Sequence, residues 1–338
     1  MKVAESVSLK RYNSFGVAAT ARRVIQIETL EDLAELTFDP ATDRVLGGGS
    51  NLLFAADVTG TVFLNRLTGM RLRHDDGGQA EADVAAGELW HSLVLWSLAQ
   101  GLSDLENLSL IPGLAGAAPM QNIGAYGVEL SDTLASVQAW DWHERRLVEF
   151  SREECDFAYR SSRFKTNDRD RYLITAVRLR LSRAFIPRLE YAGLKEQLEA
   201  MGVEQPDARQ VSQAVIMQRK RKLPNPALIG NAGSFFKNPL ISSDQAEDLA
   251  ARFPGIPVHP TPEGSAKLSA GWLIEQCGWK GHREGDAGVS DKHALVLVNH
   301  GSANGAEILA LARKIARSVE ETFGVALEPE PVIVGDDW

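Results

Sequence analysis

The stretch IPGLAGAAPMQNIGAYG, residues 111–127, constrains the fold more than any other part of the chain. It carries four glycines and four alanines in seventeen residues. That is too Gly-rich for a regular strand and too interrupted for a long helix. Small side chains let a flat or extended ligand lie against backbone, and long loops without secondary structure inside compact domains are commonly functional. A second run, Gly47-Gly48-Gly49-Ser50-Asn51, sits between two short apolar segments and reads as strand, tight turn, strand. It does not open a helix, as a G-x-G-x-x-G dinucleotide fingerprint must, and no G-x-x-x-x-G-K-[ST] loop occurs. Three glycines alone are most simply a β-hairpin turn. They also present backbone N–H groups that can nest phosphate oxygens. Two such loops in one N-terminal region point to a large cofactor with a pyrophosphate and a ring.

The rest of the chain sets the limits. Its 338 residues suggest two or three lobes. A net charge of −9 argues against non-specific nucleic-acid binding, so an anionic ligand needs a local basic patch; Arg219-Lys220-Arg221-Lys222 is one. Apolar runs such as 294–298 are strand-length, far short of a membrane span. The segment MKVAESVSLKRYNSF has no apolar signal core, and the two cysteines, Cys155 and Cys277, fit a reducing compartment. These features place the protein in the cytoplasm, with no nucleic-acid, membrane or obligate protein partner indicated. None of the seven histidines falls in a metal-ligand spacing, and no metal is expected.

Periodicity and breakers predict an α+β chain. Strands are expected at 24–27, 45–46, 52–54, 61–65, 137–140, 147–150, 172–181, 294–298 and 325–327. Helices are expected at 30–36, 88–100 (stopped by Gly101), 193–201, 208–221, 244–253, 270–277 and 305–323, the last capped by Asn304 and ended by Gly324. Trp90, Trp96, Trp140 and Trp142 are read as core.

Taken together, GGGSNLL and the 111–127 stretch resemble the flavin-binding region of the UDP-N-acetylenolpyruvoylglucosamine reductase family (UDP-N-acetylmuramate dehydrogenases). The likeness continues, in the family's order, through NSFG (13–16), YRSSRFK (159–165), GNAGSFFKNP (230–239) and LEPEP (327–331). EYAGL (190–194) resembles the inserted segment of a subtype that carries a substrate-contacting tyrosine, here Tyr191. Ser161 stands where many members have an acidic residue, and Pro331 where an aliphatic one is usual. The resemblance implies a vanillyl-alcohol-oxidase-type FAD-binding fold of two lobes with an α+β substrate-binding lobe. We divide these as residues 1–68 with 328–338, 69–206, and 207–327. It also implies non-covalent FAD, NADPH as co-substrate, and reduction of UDP-N-acetylglucosamine enolpyruvate to UDP-N-acetylmuramate in bacterial peptidoglycan precursor synthesis. Gly47, Gly48, Gly49, Ser50, Asn51, Pro112, Gly113, Gly116, Ala117, Gln121, Asn122, Gly124, Ala125 and Tyr126 are the implied FAD contacts.

That reaction adds hydride to the terminal alkene carbon, so charge builds on the neighbouring carbon and its carboxylate. A cation and a proton donor are needed. Arg160 fits the first need, since a guanidinium binds a carboxylate with two hydrogen bonds. By spacing alone it is a surface salt-bridge residue, with Arg163 and Lys165 as rivals. Ser234 fits the second; by itself it is a turn serine capping backbone. Glu330 would donate a hydrogen bond from a protonated carboxyl, with Glu328 competing and a solvated tail glutamate as the plain alternative. The resemblance selects Arg160, Ser234 and Glu330. Tyr191, Lys222 and Asn238 are the candidates for the UDP diphosphate and neighbouring groups, while Lys220 and Arg221 read as the solvated end of a helix. Two other functions compete: a flavin oxidase of the same fold acting on a sugar alcohol, and a non-catalytic nucleotide-sugar-binding module.

Overall fold

The computed structural model of the chain describes residues 1–261 and 264–338. It divides into two compact units. One comprises Met1–Val7, Ala21–Gly48 and Val58–Arg221; the other comprises Ser8–Thr20, Gly49–Asp57 and Lys222–Trp338.

The first unit holds two sheets. In the four-stranded one the order is Lys2–Ser8, Thr20–Ile27, Val58–Asn65, Arg44–Leu46. Val58–Asn65 is central, lies parallel to Thr20–Ile27 and to Arg44–Leu46, and is buried at seven of its eight residues. Its one glycine, Gly60, is forced: a Cβ there would come 2.5 Å from the Thr42 carbonyl oxygen. The five-stranded sheet is antiparallel, in the order Arg146–Ser151, Leu134–Asp141, Tyr172–Ser182, Gln79–Ala85, Met70–Asp75. Val177, Leu179 and Leu181 face the core while Arg178 and Arg180 face out, as alternation requires. Trp90 and Trp140 are buried, and Trp142 stacks on Phe38 with centroids 5.3 Å apart.

The helix Trp90–Ala99 ends as expected. Gly101 takes φ +72°, its N–H donates to the Leu98 carbonyl, and the Leu102 N–H donates to the Ser97 carbonyl at 2.9 Å. The strand Gln79–Ala85 was not legible in the sequence, because QAEADVA is rich in residues that favour helices. Tertiary packing overrides that preference. Ala80, Ala82 and Val84 alternate into the core, where they share one cluster with Trp90, Leu93 and Val94.

The second unit contains two three-stranded antiparallel sheets. One is built from Leu240–Ser242, Ser265–Leu268 and Val258–Pro260, the other from Arg283–Glu284, Ala287–Val289 and Leu297–Asn299. Its long helix, Gly305–Phe323, has the predicted capping box between Asn304 and Glu307 and stops at Gly324 (φ +68°). Ile308, Leu311, Ala312, Ile315 and Val319 recur along its buried face.

Three expectations are corrected. The glycine run at 47–51 is not a hairpin turn. Arg44–Leu46 pairs with Val58–Asn65, whereas Leu52–Phe54 pairs in parallel with the C-terminal strand Val332–Val334. The two flanking strands thus lie in different sheets, and the division between units falls at Gly48–Gly49. The expected strand at 325–327 does not form. Val325 and Leu327 are buried, but backbone pairing begins three residues later, where the Lys237 N–H donates to the Glu328 carbonyl and the Glu330 N–H to the Phe235 carbonyl. The strand expected at 294–298 is Leu297–Asn299; residues 295–296 pair instead with Ser234 and Phe235.

Candidate active site

In the first unit the glycine loops meet backbone to backbone. A Cβ on Gly48 would lie 2.8 Å from Gly113 Cα, and one on Gly116 would lie 2.4 Å from Ala86 Cβ. Only glycine fits at either position. Residues 111–127 carry two single-turn 3-10 helices, Ala115–Ala117 and Pro119–Gln121, and the two-residue strand Gly124–Ala125. Among the described residues, the N–H groups of Gly48, Gly49 and Ser50 donate to no protein acceptor. Within the first unit, the unpaired Gly48 N–H beside a wall lacking side chains suits a phosphate oxygen. Asn122 is committed inward. Its Nδ2 donates to Glu129 Oε2 (2.7 Å) and its Oδ1 accepts from the Ser131 N–H, so it shapes the loop through its side chain.

The YRSSRFK segment is tied to this loop by Ser162 Oγ, which donates to the Met120 carbonyl at 2.8 Å. Residues 158–161 close a tight turn, with Arg160 in the left-handed region at φ +53°. A non-glycine there stores about 1–3 kcal/mol of strain, which the surrounding structure must hold. Arg160 Nη2 donates to the Gly124 carbonyl at 2.7 Å, and Nη1 lies 4.0 Å from Glu129 Oε1. Arg163 turns elsewhere. Its Nε bonds Asp168, Nη1 donates to the Glu154 carbonyl, and the guanidinium lies over the Phe150 ring. Arg163 is therefore a packing residue, whereas Arg160 borders the glycine loop. Lys165 also reaches that loop, donating to Gln121 Oε1 at 3.3 Å.

Tyr191 is 45% exposed, and its ring meets the Tyr126 ring edge-on with centroids 4.9 Å apart. Tyr126 has φ +51°, and its carbonyl accepts from buried Asn107 at 2.8 Å. The same Asn107 amide donates to the Arg188 carbonyl, so one side chain pins both tyrosine-bearing segments. Sequence reading missed Asn107, since nothing in a lone asparagine within LSDLENLSL signals such a double role.

In the second unit, the turn before Ser234 is made by Asn231. Its Oδ1 accepts from the Gly233 N–H and its Nδ2 donates to the Pro224 and Ile229 carbonyls. Gly233 supplies φ +73°. Ser234 Oγ caps no backbone among the described residues, which removes its plain structural explanation. Antiparallel pairing of Phe236 with Pro329 sets Phe235 opposite Glu330, one residue from Ser234. Glu328 is instead 70% exposed and bonded to Lys237 Nζ at 2.8 Å. Asn51 Nδ2 donates to the Glu330 carbonyl, and the Asn51 carbonyl accepts from the Val332 N–H, tying Glu330 to the end of the glycine run.

Asn238 Oδ1 accepts from the Ala270 N–H at 3.0 Å. His293 is pushed toward its neutral form by burial and then by the charges of Lys222 and Lys280. Ser234, Glu330, Lys222 and Asn238 thus belong to the second unit, and Arg160, Tyr126 and Tyr191 to the first.

Residues 22–150 match the family model for an FAD binding domain, and residues 225–334 match that for the UDP-N-acetylenolpyruvoylglucosamine reductase C-terminal domain. The chain is 50% identical to the UDP-N-acetylenolpyruvoylglucosamine reductase of Xanthomonas euvesicatoria pv. vesicatoria, covering 100% of this chain and 97% of the relative. It is 51% identical to that of Xylella fastidiosa strain M12, over 98% and 95%. Among solved structures, the UDP-N-acetylenolpyruvylglucosamine reductase of Thermus caldophilus superposes with a TM-score of 0.69 at 30% identity, over 99% of both chains. The expected α+β class and FAD-binding fold are borne out. The chain belongs to the UDP-N-acetylenolpyruvoylglucosamine reductase family.

Proposed function

We propose that this protein reduces the enolpyruvyl ether of UDP-N-acetylglucosamine enolpyruvate to UDP-N-acetylmuramate, with non-covalent FAD and NADPH as the reductant, in peptidoglycan precursor synthesis. The observation that carries this reading is near-complete coverage at 50% identity to relatives of that name. When bound, FAD supplies hydride chemistry, and the chain's own residues do the rest. The unpaired N–H groups of Gly48, Gly49 and Ser50 hold phosphate oxygens. Arg160 binds the substrate carboxylate, its guanidinium oriented by the Gly124 carbonyl and its backbone fixed by the 158–161 turn.

Ser234 Oγ gives its proton to the carbon beside that carboxylate after hydride has moved. A carbon enolate is basic enough to take it without an activating base. Glu330, anchored through its backbone to Phe235 and Asn51, donates a hydrogen bond from a protonated carboxyl as charge develops. Lys222 and Asn238 bind the diphosphate and its neighbours, and Tyr191 closes over the substrate. The division into residues 1–68 with 328–338, 69–206, and 207–327 is part of this reading; the pairing of Val332–Val334 with Leu52–Phe54 supports joining the C-terminus to the first segment.

We place the protein in the cytoplasm, where its nucleotide substrate and reductant occur. Both cysteines are unpaired, and no helix among the described residues is long and apolar enough to cross a membrane. The test is NADPH oxidation by the purified protein. The expected result is oxidation that depends on added UDP-N-acetylglucosamine enolpyruvate. Oxidation independent of that substrate, or oxygen-driven turnover of a sugar alcohol, would overturn the assignment.

A further inference from the structure

The stretch between Ser182 and Leu194 carries Tyr191, yet residues 185–190 form neither helix nor strand. Such a stretch must be fixed from outside itself, or Tyr191 has no defined position. Both of its ends are tied. The Ser103 N–H and Oγ donate to the Ser182 carbonyl, and the Ser182 N–H donates to Asp104 Oδ2 at 3.0 Å. At the far end, Gln218 Nε2 donates to the Gly193 carbonyl. Midway stands Asn107, whose Nδ2 donates to the Arg188 carbonyl at 2.9 Å.

Asn107 is held rigidly for that task. It lies in the single-turn 3-10 helix Glu106–Leu108 and is 1% exposed. Trp90 Nε1 donates to the Leu108 carbonyl at 3.0 Å, and buried Glu106 accepts the Asp104 N–H at 2.7 Å. The Asn107 NH2 is spent on two main-chain carbonyls, of Tyr126 and Arg188, while Oδ1 is sealed with no donor among the described residues. Turning the amide over would set Oδ1 against two carbonyl oxygens, so its orientation is fixed. A buried amide that leaves its own oxygen unmet gives up stability for what its NH2 holds.

The two segments it holds are not equally secured. The Tyr126 loop has further ties, from the Ile123 N–H to the Ala118 carbonyl and from the Leu130 N–H to the Ile123 carbonyl. The Tyr191 stretch adds apolar packing through Phe185 and Leu189 and an exposed ion pair of Arg188 with Asp132. Neither sets a backbone position as a directed hydrogen bond to a carbonyl does. We infer that Asn107 is a positioning residue for substrate binding. By holding the Arg188 carbonyl to the same amide as that of Tyr126, it sets the Tyr191 ring edge-on to Tyr126 and fixes where the Tyr191 hydroxyl meets substrate. The inference rests on the function proposed above, in which Tyr191 closes over the substrate.

The test compares Asn107→Ala, Tyr191→Phe and the double variant in the FAD-loaded enzyme. In Asn107→Ala, flavin content and bleaching by NADPH are expected to match wild type, since the loop keeps its own ties. The substrate KM should rise about 10-fold with kcat within about 2-fold. In the double variant KM should stay near that of Asn107→Ala rather than reach the product of the two effects, because both changes disable one contact. Hydrogen exchange of the Leu194 amide, which donates to the Tyr191 carbonyl at 3.1 Å, should quicken about 10-fold, while exchange along Tyr172–Ser182 stays unchanged. Asn107→Ser, whose single donor cannot serve both carbonyls, goes through the same measurements and should behave alike. Arg188→Ala removes the ion pair but keeps the carbonyl, so its KM should stay within about 2-fold of wild type. An unchanged KM in both Asn107 variants, multiplied effects in the double variant, or an equal KM rise in Arg188→Ala would overturn the inference. Flavin loss in both Asn107 variants would overturn it too, since Asn107 would then serve the cofactor loop. If wild type itself shows no substrate-dependent NADPH oxidation, the proposed function has failed instead.

Discussion

On the outer face of the five-stranded sheet, the arginines of the central strand Tyr172–Ser182 have acidic partners. Arg178 bonds Asp83 through Nε at 2.8 Å and Glu149 through Nη1 at 2.7 Å, and Arg180 bonds Glu81. The region around the small-residue loops is built the other way. Among the described residues, the sealed Arg219 Nε lacks an acceptor and the Gly48 N–H donates to nothing. In the second unit Ser234 Oγ likewise caps no backbone among the described residues. A charge that serves the fold is paired within the fold, whereas a polar group that serves a ligand is left for the ligand, at a cost in stability.

The strongest way to break this contrast is Ser234→Ala. If Ser234 Oγ awaits a substrate carbon, NADPH-driven flavin bleaching stays near wild type. Reoxidation of reduced flavin by the enolpyruvyl substrate should then fall about 10²–10⁴-fold. Stopped-flow measurement of the two half-reactions checks it. Equal slowing of both, or of neither, returns Ser234 to a packing role.

Next in size is Gly48→Val. The new side chain would drive into the Gly113 backbone and block approach to the unpaired N–H groups. Overpacking of this kind predicts FAD affinity weaker by about 10- to 100-fold, read by flavin release on dilution. Full flavin retention would show that the phosphates sit elsewhere.

The paired face should behave in the opposite manner. Asp83→Asn should leave both half-reactions unchanged and cost about 1–2 kcal/mol of stability at neutral pH, measured by denaturant unfolding. Burial pushes the Asp83 carboxyl up, but Arg178, with Arg71 and Arg73 behind it, outweighs burial and holds it below its ordinary 3.8. A carboxyl lowered on folding stabilises fully above its unfolded value and loses that contribution as pH falls through the folded one. Wild-type stability should therefore drop below about pH 4, and the drop should be shallower in Asp83→Asn. A parallel pH profile would mean that the pair is idle.

The smallest effect is expected from Tyr191→Phe, which keeps the ring against Tyr126 and removes only the hydroxyl. We expect a rise of about 3- to 10-fold in the substrate KM with flavin bleaching by NADPH unaltered, consistent with loss of one hydrogen bond. An unchanged KM would make Tyr191 a packing residue.

What the sequence determined by itself is local. The cap of Asn304 with Glu307, the stops at Gly101 and Gly324, and the irregular course of 111–127 follow from residues within a few positions of each other, so their physics is complete in the string. The motifs also brought the candidate residues into view. Tertiary structure decided which member of each ambiguous set faces a ligand. Arg163 turns to Asp168 and Phe150 while Arg160 turns to Gly124; Glu328 pairs with Lys237 while Glu330 is tied to Asn51; and Asn231, three residues upstream, makes the turn that Ser234 could have made. The partners of the glycine run were equally hidden, since Leu52–Phe54 finds its neighbour at Val332–Val334, near the other end of the chain. A residue's role depends on which groups remain unpaired around it. That is set by contacts between segments distant in sequence, where neither propensity nor spacing carries information.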